Sequence, residues 1–405
     1  MNAPRASVII VSRGRPDTLC LCLAGVARLR NAAYEVIVVA DPAGIEAARG
    51  LDFAPWLKLL TFDRPNISVA RNLGLIEAAG EVAAFIDDDA VPEPRWLEHL
   101  LAAFALPDVA VAGGYVRGRN GISFQWRARS IDAEGFATGL RLAGDDLHLP
   151  QAPEGQAIKT EGTNMAIRRS LALQLGGFDP AYPFYMDETD LNMRLARAGH
   201  RTAIAPLAQV HHAYAPSPRR SADRAVRGLR DIGASHMVFA RRHGADPGHV
   251  RERVRAEQRR RLVAQLIDGR IEPRDLARLT RDLDDGFTAG LERPLPSLRP
   301  LVSANRPFVT CPGLARGGVR VLAGRPWQAR RLRAEAASLA AAGETVSLFL
   351  FSPKTVYHKV RFQPEGYWLQ AGGLWGRSTR NAPLIQPVGF AKRVRREVAR
   401  NEAIR

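Results

Sequence analysis

The sequence predicts an α/β protein: a largely parallel sheet covered by helices, then an Arg-rich helical region, then a small βαβ module. Three observations carry this. Apolar runs of five to seven residues alternate with segments of helical spacing, as in strands buried on both faces. The charge changes sign along the chain. Up to His212 there are 21 Lys and Arg against 24 Asp and Glu, whereas the remainder holds 37 against 17. Past that basic region, a Pro-rich stretch precedes a second strand–helix–strand pattern.

The elements follow in order. "ASVIIVS" (6–12) reads as a buried strand, and 15–30 as a helix with Pro16 in its first turn. "YEVIVVA" (34–40) and "LKLLTF" (57–62) are two more strands. Residues 67–80 have helical apolar spacing ended by Gly80, and "EVAAFI" (81–86) is the next strand. Residues 117–160 are irregular and rich in Gly, Arg and Asp, the length of a functional loop. Residues 162–178 return to strand then helix, 187–199 form a helix, and 202–212 a last strand. Two or three Arg-rich helices fill 219–290. Prolines 294, 296, 300, 307 and 312 suit a linker; 318–351 form the βαβ unit, and the basic end is expected to be a frayed helix. The expected domains are therefore 1–215, 216–290, a linker at 291–317, and 318–405.

Composition narrows the class. Hydrophobic residues make up 46% and charged residues 24%, which is ordinary for a globular protein. No apolar run approaches the roughly 20 residues that span a bilayer. The N-terminal apolar segment is too short for a signal peptide. Cys20, Cys22 and Cys311 match no zinc or redox spacing, so a reducing cytoplasm is the expected setting.

Chemistry concentrates where strands end, which is where parallel sheets bind ligands. Asp87, Asp88 and Asp89 follow one strand; Ser12, Arg13 and Asp41 follow two others. Three adjacent carboxylates repel one another and raise each other's pKa unless a positive charge sits among them. A divalent cation would serve, since Mg²⁺ and Mn²⁺ take oxygen ligands and bridge carboxylates to phosphates. An exposed acidic turn capping the helix at 92–101 accounts for the triplet equally well. A second cluster, Asp187, Glu188 and Asp190, begins a helix, where the dipole favours anions and one of the three is expected to be a cap. His211 and His212 end a strand, and a single histidine is more often structural than a ligand.

In this order, "SVIIVSRGRP", "EVIVVAD", "ISVARNLGLIEAAGEVAAFIDDDAVPEPRWL", "GTNMAIRRS…GGFD", "DETDLNMRLARAG" and "AQVHH" resemble the inverting family 2 glycosyltransferases, which have the GT-A fold. The likeness covers roughly residues 6–212 and implies roles for matched positions. Asp87 and Asp89 occupy the ends of the family's DxD motif, the first toward the ribose and the last toward Mn²⁺ or Mg²⁺. Asp41 would meet the base, with Ser12 and Arg13 lining the same pocket. Arg71 and Asn72 match the element beside the nucleotide. Glu188, paired with Asp187, would remove the acceptor's proton, and His212 would help hold the metal. Asp88, grouped with the donor-binding residues, is expected to point away from the metal. Gly162, Thr163 and Asn164 form a polar turn near donor or acceptor, or a tight turn before a helix. Ala40 stands where the family has an acid, and Glu188 where it has Asp.

The resemblance implies transfer from a nucleotide sugar, with UDP favoured, to a glycan or lipid-linked acceptor in surface polysaccharide, lipopolysaccharide or glycolipid synthesis. A sugar-nucleotide pyrophosphorylase is the enzymatic alternative, but "VSRGRPDTL" lacks its Gly-rich loop. A nucleotide-sugar or polyanion binder is the other. The basic second half suits attachment to the anionic inner face of the cytoplasmic membrane, or an acidic polymer, or no partner at all; nucleic acid is the weaker expectation. "VLAGRPWQ" has too few glycines for a dinucleotide fingerprint, so 318–351 reads as an accessory module.

Overall fold

In a computed structural model, which describes residues 3–30, 33–212, 219–221 and 223–405, the chain up to His212 builds a nine-stranded mixed sheet. Its strands are β1 (Ala6–Ser12), β2 (Tyr34–Ala40), β3 (Leu57–Thr61), β4 (Val82–Asp87), β5 (Ala90–Pro92), β6 (Val109–Arg117) and β7 (Phe124–Trp126). A three-stranded excursion follows, β8 (Arg129–Ile131), β9 (Ala137–Gly139) and β10 (Ala157–Lys159), before β11 (Met165–Arg168) and β12 (Arg201–His212) return to the main sheet. The helices are α1 (Pro16–Val26), α2 (Pro42–Arg49), α3 (Ile67–Glu77), α4 (Trp96–Ala102), α5 (Arg169–Gln174) and α6 (Asp187–Arg197).

The strand order is β3-β2-β1-β4-β11-β6-β12-β5, with β7 on the edge of β6. β1, β2 and β4 are parallel and almost wholly buried, as their unbroken apolar runs predict. The sheet is not parallel throughout: β11 runs antiparallel between β4 and β6, and β5 is antiparallel to β12. No helical crossover leads into β11; the chain reaches it from the β8–β10 excursion, and that route permits the reversal. The excursion also means that 117–160 is not irregular throughout.

Further along the chain, α7 (Arg230–His243), α8 (Pro247–Ile267) and α9 (Pro273–Glu292) pack around Leu229, Val250, Val254, Leu279, Leu283 and Phe287. α7 and α9 nearly touch. A Cβ on Gly286 would sit 2.2 Å from the Arg230 carbonyl, and one on Gly290 2.4 Å from that of Ala234. The boundary expected near 215 falls outside the described residues.

Residues 294–317 lack helix and strand, yet they are tied down along their length. Leu301 donates to the Leu173 carbonyl (2.9 Å), Ala304 to that of Ile76 (3.0 Å) and Cys311 to that of Tyr34 (2.8 Å). The segment thus straps one side of the first sheet. It leads into β13 (Val319–Gly324), α10 (Ala329–Ala341), β14 (Thr345–Ser352), β15 (Lys359–Phe362), β16 (Trp368–Gly373) and α11 (Phe390–Asn401), with sheet order β13-β14-β16-β15. α11 is not frayed. Its Arg393 and Glu397 are buried and paired at 3.0 Å, and Glu397 accepts hydrogen bonds from Ser378 (2.6 Å) and Gln370 (3.0 Å).

The terminal module braces the strand that carries the histidines. Arg405 donates to both oxygens of Glu93 (2.8 and 3.1 Å) and to Ser347 (3.0 Å), with its guanidinium 4.8 Å above the Trp368 ring. Glu93 Oε1, which accepts from Arg405, also lies 2.7 Å from His211 Nε2, and the His211 ring lies 4.5 Å from Trp368. Burial opposes the Glu93 charge, but Arg405 and His211 outweigh it and hold the carboxyl down at about 2. A depressed carboxyl stabilises the fold above its unfolded pKa, and that stability is lost as pH falls through the folded one. The window is therefore from about 4.5 down to about 2, and the contribution is about 3 kcal/mol. Glu93→Gln is expected to remove about that much stability at pH 7 and little at pH 2.5. Urea denaturation at both pH values tests this: an equal loss at each would refute the linkage.

Candidate active site

The acid triplet at the end of β4 is ringed by cations. Arg15, from the turn between β1 and α1, reaches Asp88 (2.7 Å) and Asp89 (3.2 Å). Arg71, on α3 and buried, bridges Asp87 (3.0 Å) and Asp187 (2.5 Å). His212 Nε2 lies 3.0 Å from Asp89, and Arg220 is 3.9 Å from the same carboxylate. Three arginines thus answer the repulsion within the triplet, and the His212 ring lies against Asp89. Of these, Arg220 carries no motif signal, and Arg15 lies within "SVIIVSRGRP" without a role implied by that likeness. Both could have been sought on the ground that buried acids need basic partners.

The three acids face differently. Asp88 is fully buried; burial pushes its carboxyl up to about 7 against the pull of Arg15 and the hydrogen bond from Ser12 (2.6 Å). Asp88 is thus held by the Ser12 hydroxyl on one oxygen and by Arg15 on the other. Asp87, Asp89 and His212 each offer one ligand atom, all within 4.8 Å of one another. Two carboxylate oxygens and an imidazole nitrogen fit Mn²⁺ or Mg²⁺ completed by phosphate oxygens, and this is the one such group among the described residues.

Asp187 and Glu188 open α6 on the far side of Arg71. Asp187 is buried against Arg71, and burial raises its carboxyl. Glu188 is the accessible one. Lys159, at the end of β10, donates to it at 2.6 Å and to Thr189 at 3.0 Å, and sits 3.5 Å from Glu161. Burial works against the Glu188 charge, but Lys159 dominates and holds this carboxyl below its usual range. Neither Lys159 nor Glu161, which Arg129 also holds, is distinguishable in sequence from the polar excursion around it. Asp190 turns inward to Arg194 (2.7 Å) and His243 (3.0 Å).

Other expected positions have different employment. Asn72 clasps both backbone groups of Phe178 (2.8 and 2.7 Å), and Asn164 holds Trp96 Nε1 (2.7 Å) and the carbonyls of Tyr115 (3.0 Å) and Ala208 (2.8 Å). Their side-chain amides are committed to the scaffold. Arg13 is exposed and paired with Asp63 at 2.8 Å, outside the acid cluster. Asp41 caps α2 through Gly44 (3.2 Å) and accepts from Gly14 (3.0 Å) at the open end of β2. Gly162 makes room for Arg71: a Cβ there would lie 2.5 Å from its guanidinium. The assembled group is Asp87, Asp89, His212, Arg71, Asp187 and Glu188, with Arg15, Lys159 and Arg220 added.

The family model described as "Glycosyltransferase like family 2" matches residues 4–233. A pre-mycofactocin glycosyltransferase of Mycobacterium tuberculosis is 31% identical over 150 residues, 36% of this chain and 29% of that protein. An N-acetylglucosaminyl-diphospho-decaprenol L-rhamnosyltransferase of the same species is 32% identical over 124 residues, 27% of this chain and 40% of that protein. The matches thus span less than half the length of either relative. Among solved structures, GalNAc-T7 with UDP, GalNAc and Mn²⁺ aligns at TM-score 0.47 and 16% identity, over 59% of this chain and 48% of that one. The mannosyltransferase PcManGT of Pyrobaculum calidifontis, with GDP-Man and Mn²⁺, aligns at 0.45 and 17%, over 72% and 88%.

Proposed function

The chain belongs to the glycosyltransferase like family 2, and from that premise we propose that it transfers a sugar, with inversion, from a UDP-sugar to a hydroxyl of a glycan or lipid-linked acceptor. The observation that carries this is the opposition of two groups across Arg71: Asp87, Asp89 and His212 on one side, Glu188 on the other.

Asp87, Asp89 and His212 would hold Mn²⁺ or Mg²⁺, which when bound neutralises charge on the departing diphosphate. Arg71 keeps Asp87 and Asp187 in place, so that one buried cation sets the spacing of donor and acceptor sides. Asp41 faces the base, and Arg15 holds Asp89 in orientation from behind. Glu188 takes the acceptor proton as its oxygen attacks the anomeric carbon. The bond from that carbon to the diphosphate breaks, and the electron pair leaves with the diphosphate. Lys159 keeps Glu188 ionised beforehand.

The test is a calorimetric titration of UDP with and without Mn²⁺, followed by a transfer and donor-hydrolysis screen of UDP-sugars. Metal-enhanced UDP binding with turnover is expected; no binding by any uridine nucleotide would reject the reading.

The second half is proposed to hold the enzyme on an anionic membrane surface at the cytoplasmic face, where lipid-linked acceptors would lie. No helix among the described residues is long and apolar enough to cross a membrane. On α8, however, the exposed Val263 and Ile267 share the helix with Arg259 and Arg260, and Arg270 follows just beyond its end. Basic residues gain about 1 kcal/mol each near anionic lipid. Sedimentation with phosphatidylglycerol vesicles is expected at low salt and is expected to vanish with neutral vesicles. No binding at low salt would remove this part of the proposal.

A further inference from the structure

The terminal module gathers exposed apolar side chains at one end. β13, β14 and β16 run parallel, with Gly324 opposite Leu350 and Ser352 opposite Gly373, so the connections that leave them emerge together. Each connection carries large apolar side chains into water. Trp327, after β13, is 75% exposed. Val356 and Tyr357, after β14, are each 57% exposed, and Leu384 and Ile385, after β16, each 60%. Single exposed apolar residues are ordinary, but a group of them marks an interaction surface.

The connections are fastened to one another. The Gly373 amide donates to the Val356 carbonyl (2.8 Å), that of Trp375 to the Lys354 carbonyl (3.2 Å), and that of Gln386 to the Trp375 carbonyl (2.9 Å). Arg325, two residues before Trp327, donates to the Phe351 carbonyl (3.3 Å) and lies 4.5 Å over the Phe390 ring at the start of α11. Gly376 permits the closest approach, since a Cβ there would sit 1.9 Å from the Val356 carbonyl oxygen. The exposed side chains thus stand on an ordered surface.

The charge around them has one sign. Residues 325–328, 353–358 and 374–389 contain Arg325, Lys354, Arg377 and Arg380 and no Asp or Glu. Lys354 and Arg380 are exposed, and the Arg377 guanidinium lies 5.9 Å from the Tyr357 ring. Tryptophan, tyrosine and aliphatic side chains interleaved with cations suit the boundary of a bilayer, where rings sit at headgroup level and Lys and Arg meet anionic lipid.

We infer that this end of the module docks on an anionic lipid surface, with Trp327, Tyr357, Leu384 and Ile385 entering the headgroup layer and Lys354 and Arg380 meeting lipid phosphates. This rests on the membrane reading proposed above and adds a second point of contact to that on α8.

The full chain and phosphatidylglycerol vesicles at low salt test it. Sedimentation of the unaltered protein reads the membrane proposal itself, and no binding would remove both. Given binding, Trp327→Ser together with Leu384→Ser is expected to raise the lipid concentration for half-sedimentation about tenfold. Both side chains are exposed, so the melting temperature is expected to match that of the unaltered protein. Unchanged lipid binding in this variant would overturn the docking face and leave the membrane proposal in place. Brominated phosphatidylglycerol gives a second readout. It is expected to quench tryptophan fluorescence of the unaltered protein, and less so that of Trp327→Phe, which keeps the apolar contact. Equal quenching of the two would overturn the face. So would self-association without lipid, seen by analytical ultracentrifugation and lost in the double variant, which would assign the face to a second copy of this chain.

Discussion

With Glu188 replaced by glutamine, transfer is expected to fall about a thousandfold while UDP binds as before. Glutamine has the same shape and can still accept a hydrogen bond from Lys159, but it cannot take a proton from the acceptor. Lys159 keeps Glu161 and Thr189 as partners, so the loss belongs to chemistry and not to folding. A companion variant gives the sign of the pH effect. Lys159 holds the Glu188 carboxyl low. Lys159→Met therefore raises its pKa, and the acid limb of kcat/KM moves to higher pH, because the base works only when deprotonated. Near-normal transfer by Glu188→Gln would remove Glu188 as the base, and Asp187, raised by burial, would then be the carboxyl to examine.

The second large effect is expected at Asp89. Asp89→Asn keeps the side chain's size but removes the charge that His212, Arg15 and Arg220 all face. The Mn²⁺-dependent gain in UDP affinity is expected to fall by about a hundredfold or more, because the oxygen donor with full charge is lost and two arginines are left facing the site. Calorimetry with and without Mn²⁺ isolates this gain from metal-independent binding of the base. If the gain survives, Asp89 does not hold the metal. Asp88→Asn is the contrasting control: Asp88 lies behind the cleft, so the change is expected to act on stability with little effect on the metal-dependent gain.

The sequence displays the skeleton of this site because its acids lie at strand ends and its histidine at the end of a buried run. Position along a strand is a local property, and periodicity reports it. Arg15, Lys159 and Arg220 are invisible to that reading, since a basic residue in a polar turn looks the same whether solvated or buried against an acid. Arg15 meets Asp89 across 74 positions and Lys159 meets Glu188 across 29. Asn72 and Asn164 show a complementary limit. They sit within motifs expected to border the nucleotide, but an amide can as well tie two backbone segments together, as both do, and nothing in the neighbouring residues reveals that use. In the fold, the antiparallel β11 escapes notice because an apolar strand reads the same in either direction.

The brace through Glu93 also imposes an order in time. Arg405 is 312 residues from its partner, and its carbonyl is held by Arg30 from 375 residues away. A ribosome adding 5–20 residues per second needs about 15–60 s to cover the longer part of that interval. During that time β12 can already pair with β5 and β6, and His211 can meet Glu93, but Glu93 is a buried acid without its guanidinium. The half of the chain that carries the chemistry is therefore made long before the residue that locks it. A chain halted before Arg405 would carry the acids and the histidine on their strands with the Glu93 acid unpaired, so the brace is added after the site it steadies.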